Sequence, residues 1–452
     1  MRFLLALLLV GCVPSRQAVW RPVDREIERR IGQRATWGTS ATIDDLLAKP
    51  LDRAAATRIA LALNQRLQAS YEQLGIAAGD IASATVLRPL EVDLAYKFGI
   101  GGGAHDEIEI DVTQDILDLL QLPQRRGVAQ ATLAATRARA VAATVMLVAR
   151  VEAAHVDVVA AQQELELRQT AFDAASASAE IAERMHAAGN IPELTLARER
   201  DRREQTRIDL GRAQLDVELR REALNEVMGV SGRATKWTID ERLPDVPAAA
   251  PALDELEQTA VAASLDLEAT KQDAEAAAGA VGVARVRSWL PSLGVGVSAS
   301  REDDAWRAGP AISLGLPIFN QQQGPRAKAN AELRRARNEH TAIAVELRAR
   351  ARATRQRVLE AYAEARHLRE VVLPLRQNIV DETLKHYNAM NASPFELLVA
   401  RRELVDAGRQ YIDALRRYWR ADADARALAR GAMIGAHVDE TRAAAPAAED
   451  NH

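Results

Sequence analysis

The chain has 452 residues, of which 4% are aromatic and 27% charged, and its formal net charge is −4. So few aromatics against so many charges argue for long, solvated helices in place of thick globular cores, and the charge balance gives no electrostatic footprint for a nucleic-acid partner. Cys12 is the only cysteine, which excludes intrachain disulfides and any cysteine-based metal or catalytic cluster.

In chain order, Arg2 precedes an apolar run from Phe3 to Val10 that ends in Leu9-Val10-Gly11-Cys12. The run is too short to span a bilayer and fits a signal peptide. A small residue before a cysteine at its end resembles the bacterial lipobox, which implies that Cys12 is lipidated and becomes the mature N-terminus. Val13 stands where an inner-membrane retention signal has aspartate, so this resemblance points to the outer membrane. Residues 1–11 are thus expected to be a lipoprotein signal peptide and 12–40 a lipid-anchored N-terminal segment.

A first repeat is expected over 41–230. It opens with a helix near 52–87 that ends before Pro89. Strands follow at about 90–100 and 107–120. Leu90, Val92, Leu94, Tyr96, Phe98 and Ile100 alternate with Glu91, Asp93, Ala95, Lys97 and Gly99, and Ile108, Ile110 and Val112 alternate with Glu107, Glu109 and Asp111. Period-two alternation gives one apolar and one polar face. Gly127 marks the strand-to-helix turn, and long helices near 126–187 and 192–228 flank a break at Gly189.

Residues 231–252, rich in Pro, Gly and Ala, read as a linker with a short extended piece from Lys236 to Ile239. The second repeat, 253–432, follows the same order. Its helix near 254–288 ends before Pro291, and its strands lie at about 291–300 and 308–319. Gly324 marks the turn, and helices near 325–389 and 394–431 flank a break at Met390. The landmarks Pro89/Pro291, Gly127/Gly324 and Gly189/Met390 are 202, 197 and 201 residues apart, so order and spacing are both kept. Each of the longest helices extends roughly 90–100 Å. Leu210/Val217/Leu224 and Leu368/Val372/Leu375/Ile379 form coiled-coil seams. The Arg-dense run 348–357 reads as a solvated helix face. Pro374 predicts a kink, and 433–452 a disordered tail.

Strands of about ten residues suit a tilted membrane span. Trp289, Trp306 and Phe319 near their ends suit interfacial girdles, and the acidic opposite face suits a watery lumen. A membrane sheet must close on itself, and four strands are too few, so several chains must share one barrel. Two would give eight strands and three would give twelve.

Enzymatic chemistry finds little support. Glu-x-x-His occurs at Glu152/His155, Glu183/His186 and Glu364/His367, the spacing of di-iron four-helix bundles. The two repeats do not carry it at matching positions, however, and the strands would have no role. Gly99, Gly101, Gly102 and Gly103 lie between strands with no phosphate-binding lysine after them, and no Ser/His/Asp arrangement stands out. A non-enzyme without cofactor is expected. A lipid-anchored periplasmic coiled-coil scaffold would explain the helices and Cys12 but not the strands.

The tandem repeat of helix, β-hairpin and long helical hairpin resembles the TolC-type outer-membrane efflux proteins over about residues 41–432. The resemblance rests on the helix-ending prolines, on Pro317 and Gly324 in LGLPIFNQQQGPRAKANAE, and on Tyr387 to Arg401 in YNAMNASPFELLVAR; with the lipobox it suggests the lipoprotein branch. It implies a mainly α chain whose four strands join those of two other copies in a twelve-stranded transmembrane β-barrel, above a periplasmic α-helical barrel. It implies a homotrimeric exit duct in the bacterial outer membrane, contacting outer-membrane lipid. A periplasmic adaptor would join it to an inner-membrane transporter, proton-driven in the lipoprotein branch; the exit duct of a type I secretion system is the alternative. The resemblance places the periplasmic gate at the helix breaks, with Tyr387 and Glu396 as candidates and Thr195 as the counterpart of Glu396 in the first repeat. The chain departs from the family pattern at Met390, Ala392 and Val399.

Overall fold

The structure is a computed structural model that describes residues 15–33, 40–86, 89–98, 106–302, 305–318 and 321–433. Cys12, Phe319, most of the first hairpin turn and the tail from 434 lie outside the described residues.

The elements run α1 (Arg16–Ile31), α2 (Ser40–Leu47), α3 (Arg53–Leu63), α4 (Gln65–Thr85), β1 (Glu91–Lys97), β2 (Glu107–Asp115), α5 (Ile116–Ala187) and α6 (Glu193–Met228). They continue α7 (Leu256–Ala263), α8 (Leu265–Trp289), β3 (Leu293–Glu302), β4 (Ala305–Leu314), α9 (Gln323–His367), a π turn Leu368–Val372, α10 (Leu373–Asn388) and α11 (Pro394–Ala429). Among the described residues no helix is long and apolar enough to cross a membrane.

Several boundaries differ from the sequence reading, for local reasons. Strand β2 stops at Asp115, whose carboxylate accepts from the Leu117 amide and starts α5 at once. Gly127 and Pro123 therefore lie inside a 72-residue helix, roughly 110 Å long, and mark no turn. The Ile116/Leu119/Leu120 spacing already belongs to a helix. Strand β4 likewise ends at Leu314, short of 319. The segment assigned to a lipid anchor contains α1, which buries Val19, Val23 and Ile27. At Pro374 the helix widens into the π turn just before it, which accommodates a residue that has no N–H and a ring crowding the preceding turn.

The first helix of each repeat is broken, at positions 200 residues apart. Asn64 accepts from the Leu67 amide at 2.9 Å and caps α4; Ser264 accepts from the Leu267 amide at 3.1 Å and caps α8. Each break is matched by a glycine that ends the repeat's last helix. Gly229 has φ +74° and Gly431 φ +92°, and a Cβ on either would lie within 3 Å of the Leu63 or Ala263 carbonyl oxygen. Both the left-handed backbone and the close approach require glycine there. The N-terminal helix adds a further tie: Arg30 donates to the Ala263 and Arg430 carbonyls.

Alanine and valine dominate the buried face of α5, so neighbouring helices approach closely. One core joins α1, α3, α4 and α5. A second joins α5, α9, α11 and the inter-repeat segment, through Leu243 and Val246. That segment is a strap laid on the helices, not a free linker. Trp237 is buried and donates to Asn225, and the Leu51 amide donates to the Thr238 carbonyl.

The strands form one antiparallel sheet in the order β1-β2-β3-β4. Asp118, almost fully buried at its base, pairs with Arg125 of its own helix and Arg287 of the second repeat.

His155 is buried and donates from Nε2 to the Leu51 carbonyl at 3.1 Å. Burial, with the nearby Arg53 charge adding to it, holds its pKa below the usual 6.5. The unfolded chain therefore takes up the proton first as pH falls through 6.5, so this contribution to stability is complete above that value and is lost below it. The thermal midpoint should drop between pH 7.5 and 5.5, and His155→Gln should shrink that drop; an equal drop in both proteins would remove His155 as its source.

Candidate functional site at the helix tips and the sheet

The two helix breaks are built alike. In the first, Ala188, Gly189 and Asn190 amides donate to the Arg184, His186 and Met185 carbonyls at 2.8–3.1 Å. In the second, Ala389, Met390 and Asn391 donate to Lys385, Tyr387 and His386 at 2.8–3.0 Å. Both turns need a left-handed residue: Gly189 has φ 75°, Met390 φ 60°. For an L-residue with a side chain that conformation costs about 1–2 kcal/mol. Met390 is 94% exposed, so no intrachain packing offsets the strain.

The three gate candidates sit beside these turns. Tyr387 is in the last turn of α10 and partly exposed. Glu396 is exposed in the first turn of α11, and Thr195 is half-buried in the first turn of α6. Glu396 and Thr195 are each the third residue of their helix. Among the described residues no hydrogen bond joins any two of the three.

Glu396 has a local task that the sequence reading missed. Its amide donates to Ser393 Oγ at 3.2 Å, and that hydroxyl lies 3.2 Å from Glu396 Oε1. The readable signal was Ser-x-x-Glu, a helix-starting box. Glu396 also borders a groove of about 420 Å³ with Ile379, Thr383, Phe395, Val399 and Glu403.

The Glu-x-x-His pairs do not converge on common sites. Glu152 pairs with Arg426 while His155 turns to Leu51. Glu183 pairs with Arg200, whereas His186 engages the Ile191 carbonyl and Glu193. Glu364 pairs with Arg417.

At the other end of the molecule the register aligns the apolar residues of all four strands. Leu94 faces Ile110 and Ile110 faces Ala299; Val297 faces Pro310 and Val295 faces Ile312. Val92, Leu94, Val295, Val297, Ile312 and Leu314 are all exposed. Trp289 lies below this apolar band, while Trp306, opposite Arg301, and the Tyr96–Phe98 pair lie above it. The opposite face is acidic on β1 and β2: Asp93 stands against Asp111, and Lys97 reaches Glu109 at 2.7 Å and Glu107 at 3.3 Å. On β3 the same face is Gly294, Gly296, Ser298 and Ser300.

No protein-family model matches the chain. The chain is 26% identical over 384 residues to the cobalt-zinc-cadmium resistance protein CzcC of Cupriavidus metallidurans, covering 83% of this chain and 88% of that protein. Its structure is similar to the outer membrane protein VceC of Vibrio cholerae, with TM-score 0.66, 17% identity and coverage of 93% and 99%. It is also similar to the Campylobacter jejuni CmeC outer membrane channel, with TM-score 0.65, 16% identity and coverage of 84% and 86%. At these identities the solved structures share the fold of this chain.

Proposed function

We infer that the chain is a TolC-type outer-membrane efflux channel, a passive exit duct that joins lipid-embedded strands to a long periplasmic helical shaft. The observation that carries this reading is the four-stranded sheet at one end of the helices, apolar and exposed on one face and, on β1 and β2, acidic on the other. Among the described residues strands β1 and β4 each have one edge without a partner, and hydrocarbon tolerates no such edge. Edge-to-edge pairing of β4 with β1 of the next copy closes the sheet, and three copies give twelve strands.

The same rotation supplies partners for apolar side chains left exposed on the helices. Under the sheet α4 neighbours α5, α5 neighbours α8, and α8 neighbours α9. The free flanks are those of α4, with Ile76, and α9, with Val345. In the shaft they are those of α6, with Ile208, Leu215 and Leu219, and α10, with Leu375. A head-to-tail ring brings each flank against its complement.

Kinship with a cobalt-zinc-cadmium resistance protein makes divalent cations the first cargo to test. The acidic face of β1 and β2 suits cation passage. A periplasmic adaptor and a proton-driven inner-membrane pump complete the system in this reading, with Tyr387, Glu396 and Thr195 at the adaptor-facing, narrow end.

Electron microscopy of the detergent-purified protein should show a threefold tube with a detergent belt at one end; a compact particle from the soluble fraction would overturn the duct. Glu396→Ala should lower cation preference in single-channel recordings through loss of a ring of three carboxylates, and unchanged selectivity would take Glu396 out of the pore. Cys12→Ser should abolish lipid labelling while trimers still form, whereas labelling that survives the change would reject Cys12 as the anchor.

A further inference from the structure

A cavity of about 400 Å³ opens where α1 packs on α5, beside the break between α7 and α8. Its lining comes from these helices and from neither α4 nor α9, whose flanks meet in the proposed ring. It is therefore a feature of one chain and does not rest on the duct reading. Part of the wall is apolar, from Val23 of α1, Ala138 and Val141 of α5, and Leu265 of α8.

The charges around the cavity do not cancel. Arg29, Arg30 and Arg137 stand against Glu26 and Glu268, which leaves one net positive charge. Most of these groups are already engaged. Arg29 and Arg30 both pair with Glu26, and Arg30 also donates to the Ala263 and Arg430 carbonyls. Glu268 accepts from Gln272 at 3.0 Å. Arg137 is the exception. It is half-buried, its Nε is sealed from solvent, and among the described residues it makes no hydrogen bond or ion pair. Burial without a compensating partner holds its pKa below the ordinary arginine value. A guanidinium is all donor, and leaving one desolvated and unpaired is costly.

A further donor lines the same cavity. Ser264 accepts from the Leu267 amide at 3.1 Å, which leaves its hydroxyl proton without an acceptor among the described residues. Asn64, its counterpart in the first repeat, donates its side-chain amide to the Val227 carbonyl at 2.8 Å. The first repeat thus uses the donor that the second keeps free. A single net positive charge suits a single negative one. The two glutamates would repel a dianionic phosphate, whereas a carboxylate carries one charge and accepts parallel hydrogen bonds from a guanidinium. The apolar wall suits a small body behind that carboxylate.

We propose that this cavity binds a carboxylate carried on a small apolar body, of the kind found at the end of a peptide, with Arg137 holding the charge and Ser264 donating a further hydrogen bond. The site lies on the shaft, far from both the helix tips and the sheet, and is separate from the path of any cargo.

The test titrates the full chain in detergent with acetyl-alanyl-alanine, read by NMR of the peptide, and with the same peptide amidated at its carboxylate. The acid should bind roughly tenfold more tightly than the amide. Arg137→Gln should weaken the acid roughly tenfold or more and leave the amide unchanged. Arg137→Lys should keep part of the affinity, because it keeps the charge but not the fork. Without peptide, Arg137→Gln should hold or raise the thermal midpoint, since it removes a desolvated charge; a fall would make Arg137 a structural group and overturn the site. Equal binding of acid and amide, or equal binding of the acid to wild type and Arg137→Gln, would overturn it as well. Inorganic phosphate should fail to displace the acid, and displacement at equal concentration would reject carboxylate as the class. Tighter binding of the acid after Asp439→Asn with Glu440→Gln would make the chain's own carboxylates the occupant and overturn an external ligand.

Discussion

Hydrocarbon offers no partner to a backbone N–H or C=O, so a sheet that meets lipid cannot keep an open edge. Four strands in the order β1-β2-β3-β4 leave two edges in every chain. Sealing them with further copies dictates much of the rest. In the proposed head-to-tail ring α9 of one copy stands beside α4 of the next, and α10 beside α6. The exposed Val345, Ile76, Leu375 and Leu215 then lie on flanks that face protein. An apolar residue exposed on an isolated chain is unremarkable one at a time; several along the free flanks of an ordered array suit a neighbouring copy there.

The duplication was legible because it is written in landmarks that each have a backbone reason. Pro89 and Pro291 end helices, alternation sets the strand faces, and Gly189 marks a left-handed turn. The same logic failed where one residue type serves two geometries. Gly127 reads as punctuation, yet it lies within α5, where packing along a 72-residue helix outweighs a poor helix former. Helix α1 falls in the stretch expected to be a lipid-anchored segment, although Val19, Val23 and Ile27 repeat there at helical spacing. The strap was read as a linker because Pro, Gly and Ala carry no periodicity. Its order comes from contacts distant in sequence, such as Gln163 with the Leu243 amide and Trp419 with the Pro244 carbonyl.

The candidate site was legible as a location more than as a mechanism. The resemblance pairs Glu396 with Thr195, and each is the third residue of its helix. The structure also gives Glu396 a helix-starting role with Ser393 that demands no pore. The two roles are compatible, since the capping contact uses the backbone amide and one carboxylate oxygen. Met390 is harder to reduce to local structure. Its turn is the one that glycine makes in the first repeat, its side chain is almost wholly exposed, and the strain has no compensation within the chain. Strain of this kind persists where something outside the local turn selects the side chain.

Comparison of the two repeats separates what the architecture needs from what each half does. Both keep the cap at the broken first helix, the glycine wedged against it, the paired strands and the left-handed tip turn. These hold the shaft together and recur at offsets near 200 residues. The differences include one level of one hairpin: the π turn, Pro374 and the strap carboxylate that reaches both helices there. A duplicated scaffold begins with two equivalent tips. An interruption present in only one of them, at a level where the core also parts, sets the two hairpins apart.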